Sequence, residues 1–417
     1  MIYRVLVFLV LLLGLSHRSH SAEGVFWGLV DPHDTDACIT SFTNGHIYSA
    51  RVVNFPAMFP NLTPSRPRGK LLVFLPGTGA IPATYFSFIT NAAGMGYHAL
   101  GLTYFNPTTV NEICSYSEVT NCHEEVRLEL IDGVDRSGFV SISRCDSIEN
   151  RLIRLLEHLV TLRPAMNWGQ FLSGTNVIWS NVVVAGHSQG GGHAAMLAKT
   201  RVVDRCLMFS SIDWYLGDGP FFPEEFQQPA GWYYHASQTP LERYFGFVHE
   251  DDDTAKTNQV YEGWSALGLD AYGENQRIDG VTNYLFYSHR LISDAFIATT
   301  NGVTNHHGTV VTDGASPTNS IGEKLYVPVW EYMLAAPTLH PRVGVIQNGS
   351  GQVAVTYATR PGSVAITNRY QLQVSTNFSD YVNTNAFVVG DGTIKTSTVS
   401  GLNGQAAFRM RVDYNDP

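Results

Sequence analysis

The stretch VVVAGHSQGGG, residues 182–192, decides how this chain is read. Four apolar residues lead into Gly186-His187-Ser188-Gln189-Gly190. Two further glycines then precede HAAMLAK, residues 193–199. A continuous apolar run that ends at glycine reads as a strand buried on both faces. The run behind it reads as a helix. A serine between two glycines at such a strand-to-helix junction sits on a turn too tight for neighbouring side chains, with its hydroxyl exposed. The alternative is a glycine-rich turn without chemistry, and the rest of the chain has to choose between them.

Outward from this point, apolar runs alternate with helical patterns from about residue 70 to 335. KLLVFLP (70–76), YHALGLTYF (97–105), CLMFSSI (206–212), RYFGFVH (243–249) and NYLFYSH (283–289) read as strands. PATYFSFITNAAGMG (82–96), NQVYEGWSALG (258–268) and YVPVWEYMLA (326–335) read as helices. DSIENRLIRLLEHLVTL (146–162) is the strongest amphipathic pattern. It puts Ile148, Leu152, Leu155, Leu156 and Leu159 on one face, behind Asp146 or Ser147 as a cap. Such alternation predicts an α/β sandwich, a mostly parallel sheet flanked by helices. After residue 337 the pattern changes to short alternating strands broken by Gly, Asn and Ser, which predicts a small all-β C-terminal domain. The expected division is a signal peptide at 1–21, an α/β domain at 22–337 and a β-sandwich, fibronectin-like module at 338–417. APTLHP (336–341) is the expected linker.

Composition narrows the function. With 44% hydrophobic and 15% charged residues the chain is a folding, globular one. A formal charge of −10 and the absence of basic clusters exclude nucleic acid and anionic membrane as expected partners. The N-terminus has Arg4, an apolar run at 5–15 and Ser19-His20-Ser21, which is the pattern of a secretory signal and too short to span a membrane. A secreted or periplasmic location is therefore expected, with no membrane association once the signal is removed. In such a compartment cysteines pair. Cys114 and Cys122 are the expected pair, and Cys206, in an apolar strand-like run, is expected to stay free as a small buried hydrophobe. No Cys/His spacing suggests zinc, and no cofactor is expected.

A serine needs a base and an oriented acid to attack a carbonyl near neutral pH. With the strand–Gly-His-Ser-Gln-Gly–helix context, and with acid and histidine candidates following in the order Ser, Asp, His, the chain resembles the α/β-hydrolase family over residues 70–335. A looser resemblance, carried by YQLQVSTN (370–377), is to secreted hydrolases with a C-terminal β-module. The family resemblance implies Ser188 as nucleophile. It implies an acid at the exit of RYFGFVHEDDDT, where Asp252 is the choice and Asp251 and Asp253 stand beside it. Asp213, in SSIDW, is a rival from the preceding strand. The base is expected between the last strand and the last helix, at His307 in NHHGTVVTDG, with His306 and His289 as rivals. Two adjacent histidines also suggest a metal, but nothing near them in sequence completes a site. The oxyanion hole is expected from the backbone N–H of Gln189 and from Thr78 in LPGTGA.

The stretch 213–235 is rich in Trp, Tyr, Phe and Pro. It is expected either to shape the substrate site or to pack on itself as a satellite core. The implied function is a carboxylic ester hydrolase acting on a small-molecule or polymeric ester. A serine peptidase, and a non-catalytic extracellular protein that touches a surface or glycan through its C-terminal module, are the alternatives.

Overall fold

The computed structural model describes residues 25–51, 68–115, 117–216, 226–281, 286, 288–296 and 305–335. Beyond these it describes strands and short segments at 343–348, 352–358, 367–376, 382–384, 388–389, 394–400 and 407–415. The expected signal at 1–21 and the expected linker at 336–341 lie outside the described residues.

Nine strands form one mixed sheet. They are β1 (Val25–Val30), β2 (His46–Arg51), β3 (Leu71–Leu75), β4 (His98–Gly101), β5 (Val182–His187), β6 (Arg205–Phe209), β7 (Tyr244–His249), β8 (Asn275–Arg277) and β9 (Arg290–Ser293). Their order across the sheet is β1-β2-β4-β3-β5-β6-β7-β9-β8. The pairings β1–β2 and β2–β4 are antiparallel, and all others are parallel.

The strand sequences show why the sheet is buried on both sides. Leu71, Val73, Leu75, Val182 and Val184 enter one apolar cluster. Leu72, Phe74, Val183 and Ala185 alternate with them and enter a second. Successive strand residues point to opposite faces, so a continuous apolar run requires a cover on each side. Helices α3 (Ile148–Leu162) and α4 (Gln189–Thr200) cover the first face, through Leu152, Leu155, Leu156, Leu159 and Ala194 to Ala198. Helices α1 (Phe86–Gly94) and α5 (Val327–Ala335) cover the second, through Phe88, Ile89, Val329, Trp330 and Met333. α3 starts where expected, with the Ser147 hydroxyl accepting from the Asn150 N–H at 3.2 Å. Each of its fully buried leucines contributes about 1.5–3 kcal/mol of apolar burial.

Three features differ from expectation. The last long strand is Arg290–Ser293, just past the predicted 283–289 run, of which only Phe286, Ser288 and His289 are described. The short edge strand β8 and the antiparallel strands β1 and β2, which lie ahead of the region where the sequence shows alternation, are additional to the expected elements. Helix α2 (Cys122–Asp132) fills a stretch to which the sequence pattern assigns no element, because Arg127 and Glu129 are buried among its apolar positions and hide the periodicity. Glu129 explains one of these. Its carboxylate accepts the backbone N–H groups of Arg136, Ser137 and Ile142 and so ties down the following loop.

The C-terminal stretch forms two small antiparallel sheets, Val343–Asn348 with Gln352–Ala358 and Ile394–Ser400, and a second one centred on Thr367–Ser375. No helix among the described residues is long and apolar enough to cross a membrane.

Two disulfides are formed. Cys114–Cys122 is the expected one, and it lies in a small cluster with Val126, Leu130 and Ile142. Cys38–Cys145 joins positions 107 residues apart and fastens the segment between β1 and β2 to the approach to α3. Cys206 is free and buried. Closing a loop of that length restricts the unfolded chain strongly, so the double variant Cys38→Ser/Cys145→Ser should lose about 2–5 kcal/mol of stability. Urea unfolding of the two proteins side by side measures this, and an unchanged midpoint would contradict it.

Candidate active site

Ser188 joins β5 to α4 with φ 53° and ψ −122°. A non-glycine residue held at such angles costs on the order of 1–3 kcal/mol and persists only where its surroundings impose it. Here the Ser188 N–H donates to the Phe209 carbonyl at 2.8 Å, and the Ser188 carbonyl accepts from the Gly191 N–H at 3.0 Å. The flanking glycines are required by contact. A Cβ on Gly186 would lie 2.2 Å from the Gly190 carbonyl carbon, and one on Gly190 would lie 2.0 Å from the Leu75 oxygen. No side chain caps α4. Its first N–H groups, that of Gln189 among them, therefore have no partner within the helix.

The loop after β3 faces this turn. Asn106 fixes it by donating from Nδ2 to the Gly77 and Ala80 carbonyls at 2.6 and 2.9 Å. The Thr78 hydroxyl donates to Gln189 Oε1 at 2.8 Å, so the two segments expected to hold an oxyanion are fastened to each other.

His307 belongs to a single helical turn, His306–Thr309, capped by Asn305, whose Oδ1 accepts the Gly308 N–H at 2.8 Å. His307 Nδ1 lies 2.9 and 3.1 Å from the two oxygens of Asp252. A carboxylate can only accept, so Nδ1 carries the proton and Nε2 carries the lone pair. Asp252 also accepts from the Thr254 and Ala255 N–H groups. Burial alone would raise its carboxyl, but the His307 hydrogen bond and charge, with the Ala255 N–H, hold it below the usual range. Ser188 and His307 line one cleft of about 530 Å³, together with Gly77, Thr78 and His187.

The rival residues stand elsewhere. Asp251 and Asp253 are exposed on either side of buried Asp252. Asp213 is fully buried in an ion pair with Arg127 and accepts from Trp232 Nε1 at 2.8 Å. Burial would raise its carboxyl, and the Arg127 charge and hydrogen bonds reverse this and hold it low. His289 is buried between the rings of Phe245 and Tyr272. His306 stacks on His249 at 4.6 Å. The described part of the aromatic stretch 213–235 is neither a separate satellite core nor a wall of the cleft: Trp214, Trp232 and Tyr233 are buried in the apolar cluster on the first face of the sheet, Phe226 and Tyr234 are exposed, and none lines the cleft.

Sequence reasoning gave no role to His187, which the structure places at the junction of the site. Its Nε2 lies 2.9 Å from the His307 carbonyl, an acceptor, so Nε2 is protonated and Nδ1 accepts from the Tyr85 hydroxyl at 3.0 Å. Tyr85 in turn accepts the Gly77 N–H at 3.0 Å. One neutral imidazole thus connects the loop after β3 with the turn that carries His307. Burial, with the nearby His307, pushes the His187 pKa down to about 3, and burial pushes the Tyr85 hydroxyl up to about 12. Both stay neutral throughout the ordinary pH range.

Arg127 was likewise missed. Besides pairing with Asp213 it donates from Nη1 to the Gln189 carbonyl at 3.0 Å. A Cβ on Gly192 would lie 2.2 Å from Arg127 Nη2, which explains the third glycine of the run.

No protein-family model matches this chain. No curated protein matches it either.

Two predictions follow from this geometry. The guanidinium cannot swing away from Gly192 without leaving Asp213, so Gly192→Ala should destabilise the fold by about 1–3 kcal/mol. Equilibrium urea unfolding is the check, and a neutral substitution would show that Arg127 is free to move. The second concerns acid. His46, His187 and His289 have pKa values lowered to about 3, and His193 is lowered well below normal, chiefly by burial in each case. Unfolded histidines titrate near 6.5. Below that value the unfolded chain binds protons that the folded chain refuses. Stability is therefore full at neutral pH and falls as pH drops from about 6.5 toward 3, by about 1.4 kcal/mol per pH unit for each such histidine once the unfolded form is protonated. Unfolding free energies at pH 7.5, 6.5 and 5.5 should decline in that order.

Proposed function

We propose that the protein is a serine hydrolase of the α/β-hydrolase type that cleaves carboxylic esters. The observation that carries this reading is that Ser188, on a strained strand-to-helix turn, shares one cleft with His307, whose other ring nitrogen is held by buried Asp252. The large mixed sheet with helices on both faces is compatible with the family named by the sequence motifs.

In the proposed reaction His307 Nε2 takes the hydroxyl proton as Ser188 Oγ bonds to the ester carbonyl carbon. The carbonyl π electrons move to oxygen, and the resulting oxyanion lies against the N–H groups of Gln189 and Thr78. Collapse of the tetrahedral species breaks the ester C–O bond, and the imidazolium returns its proton to the departing alkoxide. Water then repeats the sequence on the acyl-serine and releases the acid. Asp252 keeps the imidazole in the needed tautomer and stabilises its charged form. His187 and Tyr85 act at one remove, by positioning the His307 backbone and the Gly77 loop.

The cleft favours a small acyl group. Thr78, Thr84, Thr109, Thr254, Thr312 and Ala315 contribute to its wall, a set of short side chains with several hydroxyls and no long aliphatic surface among the described residues. Two disulfides suit an oxidising compartment, and the proposed site of action is outside the cytoplasm.

A fluorophosphonate probe should label the wild-type chain on Ser188 and fail to label Ser188→Ala. On p-nitrophenyl acetate, Ser188→Ala should lose about six orders of magnitude in turnover, and Asp252→Asn should lose about four. The acetate ester should exceed the palmitate ester in kcat/KM. Absence of labelling in a folded wild-type protein would favour a binding protein on the same scaffold. Labelling with preference for the long-chain ester would sink the small-acyl assignment alone.

A further inference from the structure

Folding brings a second set of chemically capable side chains to the edge of the candidate active site. His249 is the last residue of β7, Asp251 lies two positions on, and His306 opens the helical turn that carries His307. One donor atom from each lies within 4.8 Å of the other two. Nothing near His306 and His307 in the sequence completes a site, and the fold brings His249 and Asp251 to His306 from the end of β7 and the turn after it. The three residues are graded in burial: His249 is buried, His306 is intermediate and Asp251 is exposed. The cluster therefore opens to solvent on one side.

The tautomer of His249 is fixed in the sense a metal ligand needs. Its Nε2 lies 3.0 Å from the Ala295 carbonyl, which can only accept, so Nε2 bears the proton. Nδ1 is left with its lone pair and accepts the Asp251 N–H at 3.1 Å. Metal-bound histidines commonly donate their remote N–H to a backbone carbonyl in this way, which fixes the ring and raises the basicity of the ligating nitrogen. His306 stacks on this ring with an interplanar angle of 14°. His306 is only partly buried, and for it to ligate an ion its ring must leave this stack.

We propose that His249, Asp251 and His306 form a binding site for a transition-metal dication, zinc by the chemistry of the donors. Two imidazoles and one carboxylate are borderline donors that suit Zn²⁺, with water completing the coordination. Calcium is disfavoured, because it takes about 6–8 oxygen ligands and two of these three donors are nitrogens. Zinc holds nitrogen at about 2.0–2.1 Å, so closing the cluster around an ion requires side-chain rotation and requires the Asp251 N–H to give up its hydrogen bond to His249 Nδ1. Two of the three ligands adjoin the His307–Asp252 pair: Asp251 precedes Asp252, and His306 precedes His307. An ion at this place fastens the loop after β7 to the turn of His307 and so maintains the hydrogen bond between them from outside the cleft.

The test uses the full chain, free of any affinity tag and stripped of metal by chelator and dialysis, with zinc chloride as the titrant in calorimetry. One saturable equivalent per chain is expected, with a dissociation constant of about 1 µM or tighter. Asp251→Asn and His306→Gln should each weaken binding by at least about ten-fold, since loss of a ligand costs no less than loss of an outer-shell partner. Both residues reach the surface, and circular dichroism of the metal-free variants verifies that they fold. His307→Gln should bind zinc as the wild type does. The proposal is overturned by the absence of saturable binding. It is overturned equally by binding that survives in both ligand variants, or by binding that His307→Gln abolishes, which would put the ion on the His307–Asp252 pair. Because the readout is metal binding, the result stands apart from whether the protein hydrolyses esters.

Discussion

The closeness of helix 189–200 to the end of the strand at 71–75 is the constraint on which the rest depends. With 2.0 Å between a hypothetical Gly190 Cβ and the Leu75 oxygen, no residue larger than glycine fits at the contact. That distance sets how sharply the chain must turn at Ser188 and hence the positive φ of the serine. It also delivers the start of an uncapped helix to the loop at Gly77 and Thr78. The strain at one residue is distributed over contacts from two strands and a buried ion pair. The Phe209 carbonyl holds the serine N–H, Leu75 limits the helix, and the buried Arg127–Asp213 pair fastens the first turn through the Gln189 carbonyl.

The cleft is wired by groups that do not change charge. A chain of hydrogen bonds runs from the Gly77 N–H through Tyr85 and His187 to the carbonyl of His307. A charged residue in that place would compete with Asp252 for His307 or place a field across the cleft. A neutral imidazole with two defined hydrogen bonds provides position alone. The Asp252 carboxylate then remains the one ionised group in contact with the His307 ring, among the described residues.

How much of this was legible in the sequence differs from element to element. The strands at 71–75, 182–187, 205–209 and 244–249 were readable because parallel strands buried on both faces leave continuous apolar runs. Helix 148–162 was readable because one of its faces is solvated. Helix 122–132 was not, since buried Arg127 and Glu129 give it a polar composition that only tertiary partners explain. Among site residues, Ser188 is announced by the glycines around it, and Asp252 and His307 by their places after strands. His187 and Tyr85 leave no comparable mark. Both bond across the fold, and an isolated His or Tyr in an apolar stretch says nothing of its partner. The choice between Asp252 and Asp213 also needed coordinates, because both follow strands and only their burial partners separate them.

The placement of the cysteines has a consequence for biosynthesis. A chain made from its N-terminus presents Cys38, Cys114, Cys122 and Cys145 before Cys206 emerges. Four thiols allow three pairings, and the short step between Cys114 and Cys122 favours their early union, which leaves Cys38 and Cys145 to each other. The fifth thiol arrives when the others are already committed. Its strand then carries it into the centre of the sheet, where burial pushes its pKa well above the ordinary value and deprives it of the thiolate needed for exchange. Vectorial order during synthesis and burial afterwards together keep an odd number of cysteines from scrambling the pairs.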